Sequence, residues 1–155
     1  MATLGFGQDV GQVVQTAYVV KDVKAAMDWW IRDGKVGPWF LLDSFTGSEQ
    51  RYRGERTSAD VSIAMAFAGH MMIELIQPKD KQRSVYKEVI DQRGYHVAFS
   101  APVPSGGTVY YMSGGAIAPG FIELIPATPG MDELFTRYWK ASVGWKGDDP
   151  IRAFG

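Results

Sequence analysis

Two glutamates of this chain stand in the same short setting. Glu74 lies in MMIELIQP and Glu123 in GFIELIPA, so each is the acid of an I-E-L-I run. The flanking residues are strand formers, and an ionised carboxylate held among them is costly to bury unless it is paired, hydrogen-bonded or metal-bound. The residues alone leave three readings open: a salt bridge to a buried arginine, a wet sheet face, or a metal site. A second repeat accompanies the first. QTAY at 15–18 and HVAF at 96–99 share the pattern polar, any residue, alanine, aromatic, and each precedes one of the I-E-L-I runs. Gln15 with Glu74 and His96 with Glu123 therefore form two ordered pairs, the mark of an internal duplication.

The elements that must position these residues follow from patterning. VVQTAYVV (13–20) is dense in β-branched and aromatic residues and predicts a strand. Asp22 then offers an N-cap, and Val23, Ala26, Met27, Trp30 and Ile31 recur at helical spacing, with Gly34 expected at the stop and Trp29 off the apolar stripe. Strands are predicted at 37–43, 61–67 and 71–77, the last two joined by a tight turn at Ala68-Gly69-His70. The polar stretch 44–60 reads as a loop or rim. Beyond Pro78 the pattern gives a short helix at 84–92, strands at 95–100, 108–112 and 120–126, and a C-terminal helix over 131–143 with Leu134/Tyr138 and Phe135/Trp139 one turn apart. His70, in the turn, is expected at the surface.

Composition narrows the function classes. Hydrophobic residues make up 46% and charged residues 21% of 155, enough apolar content for a packed core in one domain. The net charge is −1 and the basic residues are scattered, which argues against nucleic acid as a partner. No cysteine is present, excluding disulfides, thiol nucleophiles and cysteine-bound zinc or iron–sulfur sites. The first twenty residues lack a basic segment followed by a long apolar run, and no apolar stretch has the length of a membrane span. A soluble, cytoplasmic protein without membrane contact is expected.

At these residues the chain resembles the vicinal-oxygen-chelate superfamily, the glyoxalase/bleomycin-resistance/dioxygenase family. QTAYVVKDVKAAMDWW is similar to the family's opening strand and helix, MMIELIQ to its fourth strand, HVAF to the first strand of a second module, and GFIELIPA to the last. The resemblance implies an α+β fold in which paired βαβββ modules form a curved mixed sheet, here 13–77 and a shortened 95–126 within a single domain 1–155. It further implies that Gln15, Glu74, His96 and Glu123 are metal ligands. That oxygen-rich set with one imidazole suits Mg, Mn, Co, Ni or Zn. With only two histidines in the chain, the two-histidine iron triad needed for dioxygenase chemistry is not available.

One departure stands out. Gln15 and Glu74 are 59 positions apart but His96 and Glu123 only 27, a shortfall of 32 residues, about one helix and one strand. Two readings follow: YHVAFS does the job of two family strands and His96 is a ligand, or it is the later strand, the ligand strand is absent and His96 is not a ligand. The missing helix would be replaced by 84–92, by the C-terminal helix or by a partner chain, the last implying a homodimer with exchanged elements.

The implied activity is a metal-dependent isomerase or lyase acting on a small molecule with adjacent oxygens, such as an α-hydroxy carbonyl, through a proton shift and an enediolate. Glu123 is the expected base and Glu74 the second candidate. Strand parity puts Met72 and Ile76 on Glu74's side and Ala17 and Val19 on Gln15's; Trp39, Met65, Phe67, Tyr110 and Met112 are further pocket candidates, an aromatic, methionine-rich lining suited to a bulky or apolar substrate, though plain core packing explains them equally well. The alternative is a non-catalytic protein of the bleomycin-resistance type that sequesters a small molecule.

Overall fold

A computed structural model of the chain describes the backbone of residues 2–92, 95–101, 108–113 and 121–155, with their side chains except at 91–92, 95–101 and 113. Strand β1 (Val13–Val19) leads into helix α1 (Val23–Trp29), which Asp22 caps by accepting from the backbone N–H groups of Lys24 and Ala25 at 3.0 Å each. The helix widens into a π-turn over Trp30–Gly34, and Lys35, not Gly34, takes the left-handed conformation at φ 55°. The wider turn explains the difference: the Lys35 N–H bonds to the Trp30 carbonyl five residues back, so the reversal comes one residue later than an α-helical stop would.

Strand β2 (Trp39–Phe45) follows, then a small ribbon, β3 (Arg51–Tyr52) and β4 (Glu55–Arg56), within the stretch expected to be loop. Strands β5 (Val61–Ala68) and β6 (Met71–Pro78) form a hairpin turning at Gly69 and His70. Gly69 has φ +65°, which the tight reversal requires and a side chain would strain. Helix α2 (Val85–Gln92), strands β7 (Tyr95–Ala101), β8 (Tyr110–Ser113) and β9 (Phe121–Pro126), helix α3 (Pro129–Ser142) and strand β10 (Ile151–Ala153) complete the order. No helix among the described residues is long and apolar enough to cross a membrane.

The fold is α+β. One mixed sheet runs β10-β2-β5-β6-β1-β7-β9-β8. Strand β1 lies parallel to β6, β7 lies parallel to β9, and β1 meets β7 antiparallel at the centre. The register repeats across that centre. Ala17 pairs with Glu74 and Ala98 with Glu123, while Gln15 faces Ala98 and Ala17 faces His96. Strand β7 thus stands beside β9 in the second half as β1 stands beside β6 in the first. The short β10, which no pattern announced, adds to the outer edge of β2 in parallel.

Two apolar layers hold the sheet. On its outer face α1 places Val23 and Met27 against Ala64, Ala66, Ile73, Leu75 and Trp39, with Ala26, Trp30 and Ile31 packed alongside, as the helical stripe predicted. Trp29 is half exposed, off that stripe. On the inner face, Phe40, Met65, Phe67, Met72 and Ile76 pack under Leu4, Phe6, Phe135 and Tyr138. Tyr138 stacks on Phe40 with ring centroids 3.9 Å apart, and Phe6 sits 5.4 Å from Phe67. Burial of such side chains contributes about 1.5–3 kcal/mol each. Helices α2 and α3 therefore both serve the inner face. On the outer face of β8, Tyr110 and Met112 are exposed.

Candidate functional site

Gln15, Glu74 and Glu123 come from β1, β6 and β9 and meet on the inner face, nearly inaccessible at 1%, 5% and 6% exposure. Strand alternation puts all three on one side, and the parallel and antiparallel registers bring them level. The Gln15 Nε2 amide donates to Glu74 Oε2 at 2.6 Å and lies 3.4 Å from Glu123 Oε2. Two carboxylates therefore share one amide between them. This orients the amide, because its NH2 must face the carboxylates, and it leaves Gln15 Oε1 buried with no hydrogen-bond partner. Such an acceptor costs about 1–3 kcal/mol when nothing donates to it.

Two tyrosines that patterning did not single out join the cluster. The Tyr111 hydroxyl donates to Glu123 Oε1 at 2.9 Å, and the Tyr86 hydroxyl of α2 lies 3.1 Å from that of Tyr111. Tyr111 is the register partner of Glu123, so it shares the inner face, while Tyr110 and Met112 alternate to the outer face and are exposed at 44% and 43%. The expectation for those two is corrected by one residue of strand parity. Trp39 is corrected likewise. It is fully buried on the outer face beneath α1, its indole N–H donating to the Val36 carbonyl at 3.0 Å, and its neighbour Phe40 takes the inner face. Met65 and Met72 do lie on the inner face, Met65 as the partner of Glu74, and Phe67 pairs with Met72. All three are packed into the core, and Phe67 also lines the cleft beside the β5–β6 turn. For His96 the strand position is described, opposite Ala17 and Phe121, but the side chain lies outside the described residues. His70 is exposed in its turn, holding the Phe6 carbonyl through Nδ1 at 2.7 Å and stacking on Trp139. Beside that turn is an open cleft of about 510 Å3 lined by Lys35, His70, Trp139 and Trp145, to which none of the three cluster residues contributes.

Electrostatics follow from this burial. Desolvation, and then the charge of Glu123, push the Glu74 carboxyl well above its ordinary 4.5. Burial, then Glu123, push the Tyr111 phenol up, so it stays a neutral donor. Because folded Glu74 binds its proton more tightly than unfolded Glu74, its contribution to stability is complete below 4.5 and is lost as pH rises through the raised folded value. The melting temperature of the cation-free protein is expected to fall as pH is raised from about 5 to about 8. A profile that rises over that interval would contradict an elevated Glu74.

The donor chemistry fits a hard divalent cation. Two carboxylates and an amide oxygen lacking a donor are the oxygen ligands such ions take, and a cation would satisfy Gln15 Oε1 and offset the crowding of two acids. Among the described residues no group of three or more His, Asp or Glu side chains gathers.

A family model of the Glyoxalase/Bleomycin resistance protein/Dioxygenase superfamily matches residues 14–103. The chain belongs to this superfamily. The match takes in Gln15, Glu74 and His96 and ends before Glu123, whose membership in the site rests on the register of β9 against β7. Among solved structures, a hypothetical protein, BH1468, from Bacillus halodurans C-125 is similar at 16% identity and TM-score 0.53, covering 77% of this chain and 96% of its own. Methylmalonyl-CoA epimerase from Mycobacterium tuberculosis is similar at 16% identity and TM-score 0.49, covering 79% and 91%. At 16% identity the likeness to the Bacillus protein is one of fold. No curated protein matches the sequence. Within the superfamily fold, this chain carries the two-module sheet with its second half reduced to β7, β8 and β9 among the described residues.

Proposed function

We propose that this superfamily member is a metal-dependent isomerase or lyase that shifts a proton within a small molecule bearing adjacent oxygens. The observation supporting it is the convergence of Gln15, Glu74 and Glu123 from both halves of the sheet on one buried point, with Gln15 Oε1 lacking any donor. Gln15, Glu74 and Glu123 would hold a divalent ion, with His96 as the fourth ligand. When bound, the ion supplies Lewis acidity that polarises a substrate carbonyl and eases loss of the neighbouring proton.

The rest is the work of the chain's own residues. Glu123 takes the α-proton on its carboxylate, and Glu74 is the second carboxyl able to hold or return a proton. Without the ion, Gln15 donates between the two acids; holding the ion together with them would require its amide to turn so that Oε1 faces them. Tyr111 holds Glu123 from the opposite side through Oε1. The near-complete burial of Gln15, Glu74 and Glu123 excludes water and keeps an abstracted proton from exchanging freely with solvent.

Metal analysis of protein purified without chelator tests this reading. Wild type is expected to retain close to one divalent ion per chain and to melt higher with the ion than after chelation, by about 3 kcal/mol at a hundredfold excess over the dissociation constant. The double variant Glu74→Ala plus Glu123→Ala should retain none and show no chelator effect. Equal, negligible metal in both proteins would overturn the enzyme reading and leave the small-molecule sequestration reading in its place.

A further inference from the structure

Helix α2 connects the two halves of the sheet and supplies none of the ligand candidates, yet it reaches the carboxylates. It packs against β6 and β1, and its Tyr86 hydroxyl lies 3.1 Å from that of Tyr111, the two rings meeting edge to face. Tyr111 in turn donates to Glu123 Oε1 at 2.9 Å. A hydrogen bond to a carboxylate is stronger than one between two phenols, so the Tyr111 proton is committed to Glu123 and the Tyr86 hydroxyl donates to Tyr111. The chain of donors therefore runs one way, from α2 to the acid.

The outer side of the same helix is fastened as well. Glu88, two residues from Tyr86 and so roughly across the helix from it, accepts from Arg53 Nη2 through both oxygens at 2.9 Å and from the Tyr52 hydroxyl. At its start, Ser84 Oγ accepts from the Lys87 N–H at 3.1 Å. The β3–β4 ribbon thus clamps α2 from outside while Tyr86 engages the site from inside.

We propose that Tyr111, backed by Tyr86, is a positioning residue that fixes which oxygen Glu123 presents to the site. With Oε1 taken by Tyr111, Oε2 is the oxygen turned toward Gln15, 3.4 Å from its amide. The carboxylate cannot rotate about its terminal bond without breaking the Tyr111 contact, so the oxygen facing the site stays Oε2. This inference rests on the metal-site reading above and extends it to two residues outside the ligand set. Groups that orient metal ligands in this way typically change cation affinity by 10–100-fold when removed.

Titration with Co2+ of the chelator-treated protein, followed by visible absorption and calorimetry, tests it. Tyr111→Phe keeps the ring and removes the hydroxyl. It is expected to weaken Co2+ binding about tenfold and to change the absorption envelope, because a freed carboxylate alters the coordination geometry. Tyr86→Phe should shift affinity in the same direction and by less. Tyr111→Phe with wild-type affinity and an unchanged spectrum would overturn the positioning role while leaving the metal site intact. Should Tyr111→Phe fail to fold, Tyr86→Phe decides: wild-type affinity and spectrum there overturn the proposal. Wild type that takes up no Co2+ overturns the metal reading itself, and this inference with it.

Discussion

Cation-free protein carrying Glu74→Gln is expected to be more stable than wild type near neutral pH, by about 1–3 kcal/mol. The side chain is 5% exposed, and both desolvation and the neighbouring Glu123 oppose its ionisation. Glutamine has nearly the same shape, keeps an oxygen to accept from Gln15 Nε2, and carries no charge. The substitution removes an unfavourable burial without opening a cavity, so the usual cost of a core change does not arise. On the proposed function the same variant loses affinity for the divalent ion, so stability and binding move in opposite directions. Denaturant unfolding with and without chelator, at two pH values, reads both. The pH dependence expected for wild type should flatten in the variant. Equal destabilisation of Glu74→Gln in chelated and ion-loaded protein would show instead that the ionised carboxylate serves the fold.

Trp39→Ala is expected to carry the largest cost of any substitution considered, about 3–5 kcal/mol, or roughly 10 °C in melting temperature. The indole is fully buried, packs in the layer formed by Met27, Ala64, Ala66 and Leu75, and donates its N–H to the Val36 carbonyl. Removing it leaves a cavity beneath α1 and an unmatched carbonyl. Patterning had offered Trp39 as a ligand-contacting residue. The two roles separate in one experiment: a core residue lowers stability and leaves cation affinity of the folded protein unchanged, whereas a pocket residue would do the reverse. Calorimetric melting beside a Co2+ titration distinguishes them.

Why some of this was legible in the sequence and some was not comes down to how local each signal is. The strand containing Gln15, the Asp22 cap, the α1 stripe and the β5–β6 hairpin are written in contiguous residues, and all appear near their expected positions. The repeated I-E-L-I marked two acids, and the structure puts them in strands that stand alike beside β1 and β7. Tyr111 was missed for the opposite reason. In Tyr110-Tyr111 only one ring can face the carboxylates, and which one depends on the register of β8 against β9, a non-local choice. The nearest available signal was the pairing itself: the residue opposite Glu74 is Met65, and the residue opposite Glu123 is Tyr111. Tyr86 was hidden because helical spacing in 84–92 directs attention to Val85 and Val89. Strand β10 was illegible because three residues carry no periodicity; it exists through its pairing with β2.

The inner apolar layer has a consequence for how the chain is made. Residues 13–78 contain strands β1 to β6, the first βαβββ run that the sequence pattern gives. By packing they are not a self-sufficient unit, since Phe40, Met65, Phe67 and Met72 are covered by Leu4 and Phe6 from before β1 and by Phe135 and Tyr138 from α3. During synthesis the N-terminal half emerges first, but its inner face stays wetted until the segment around residue 138 has left the ribosome. The duplicated halves are thus successive in translation and simultaneous in folding.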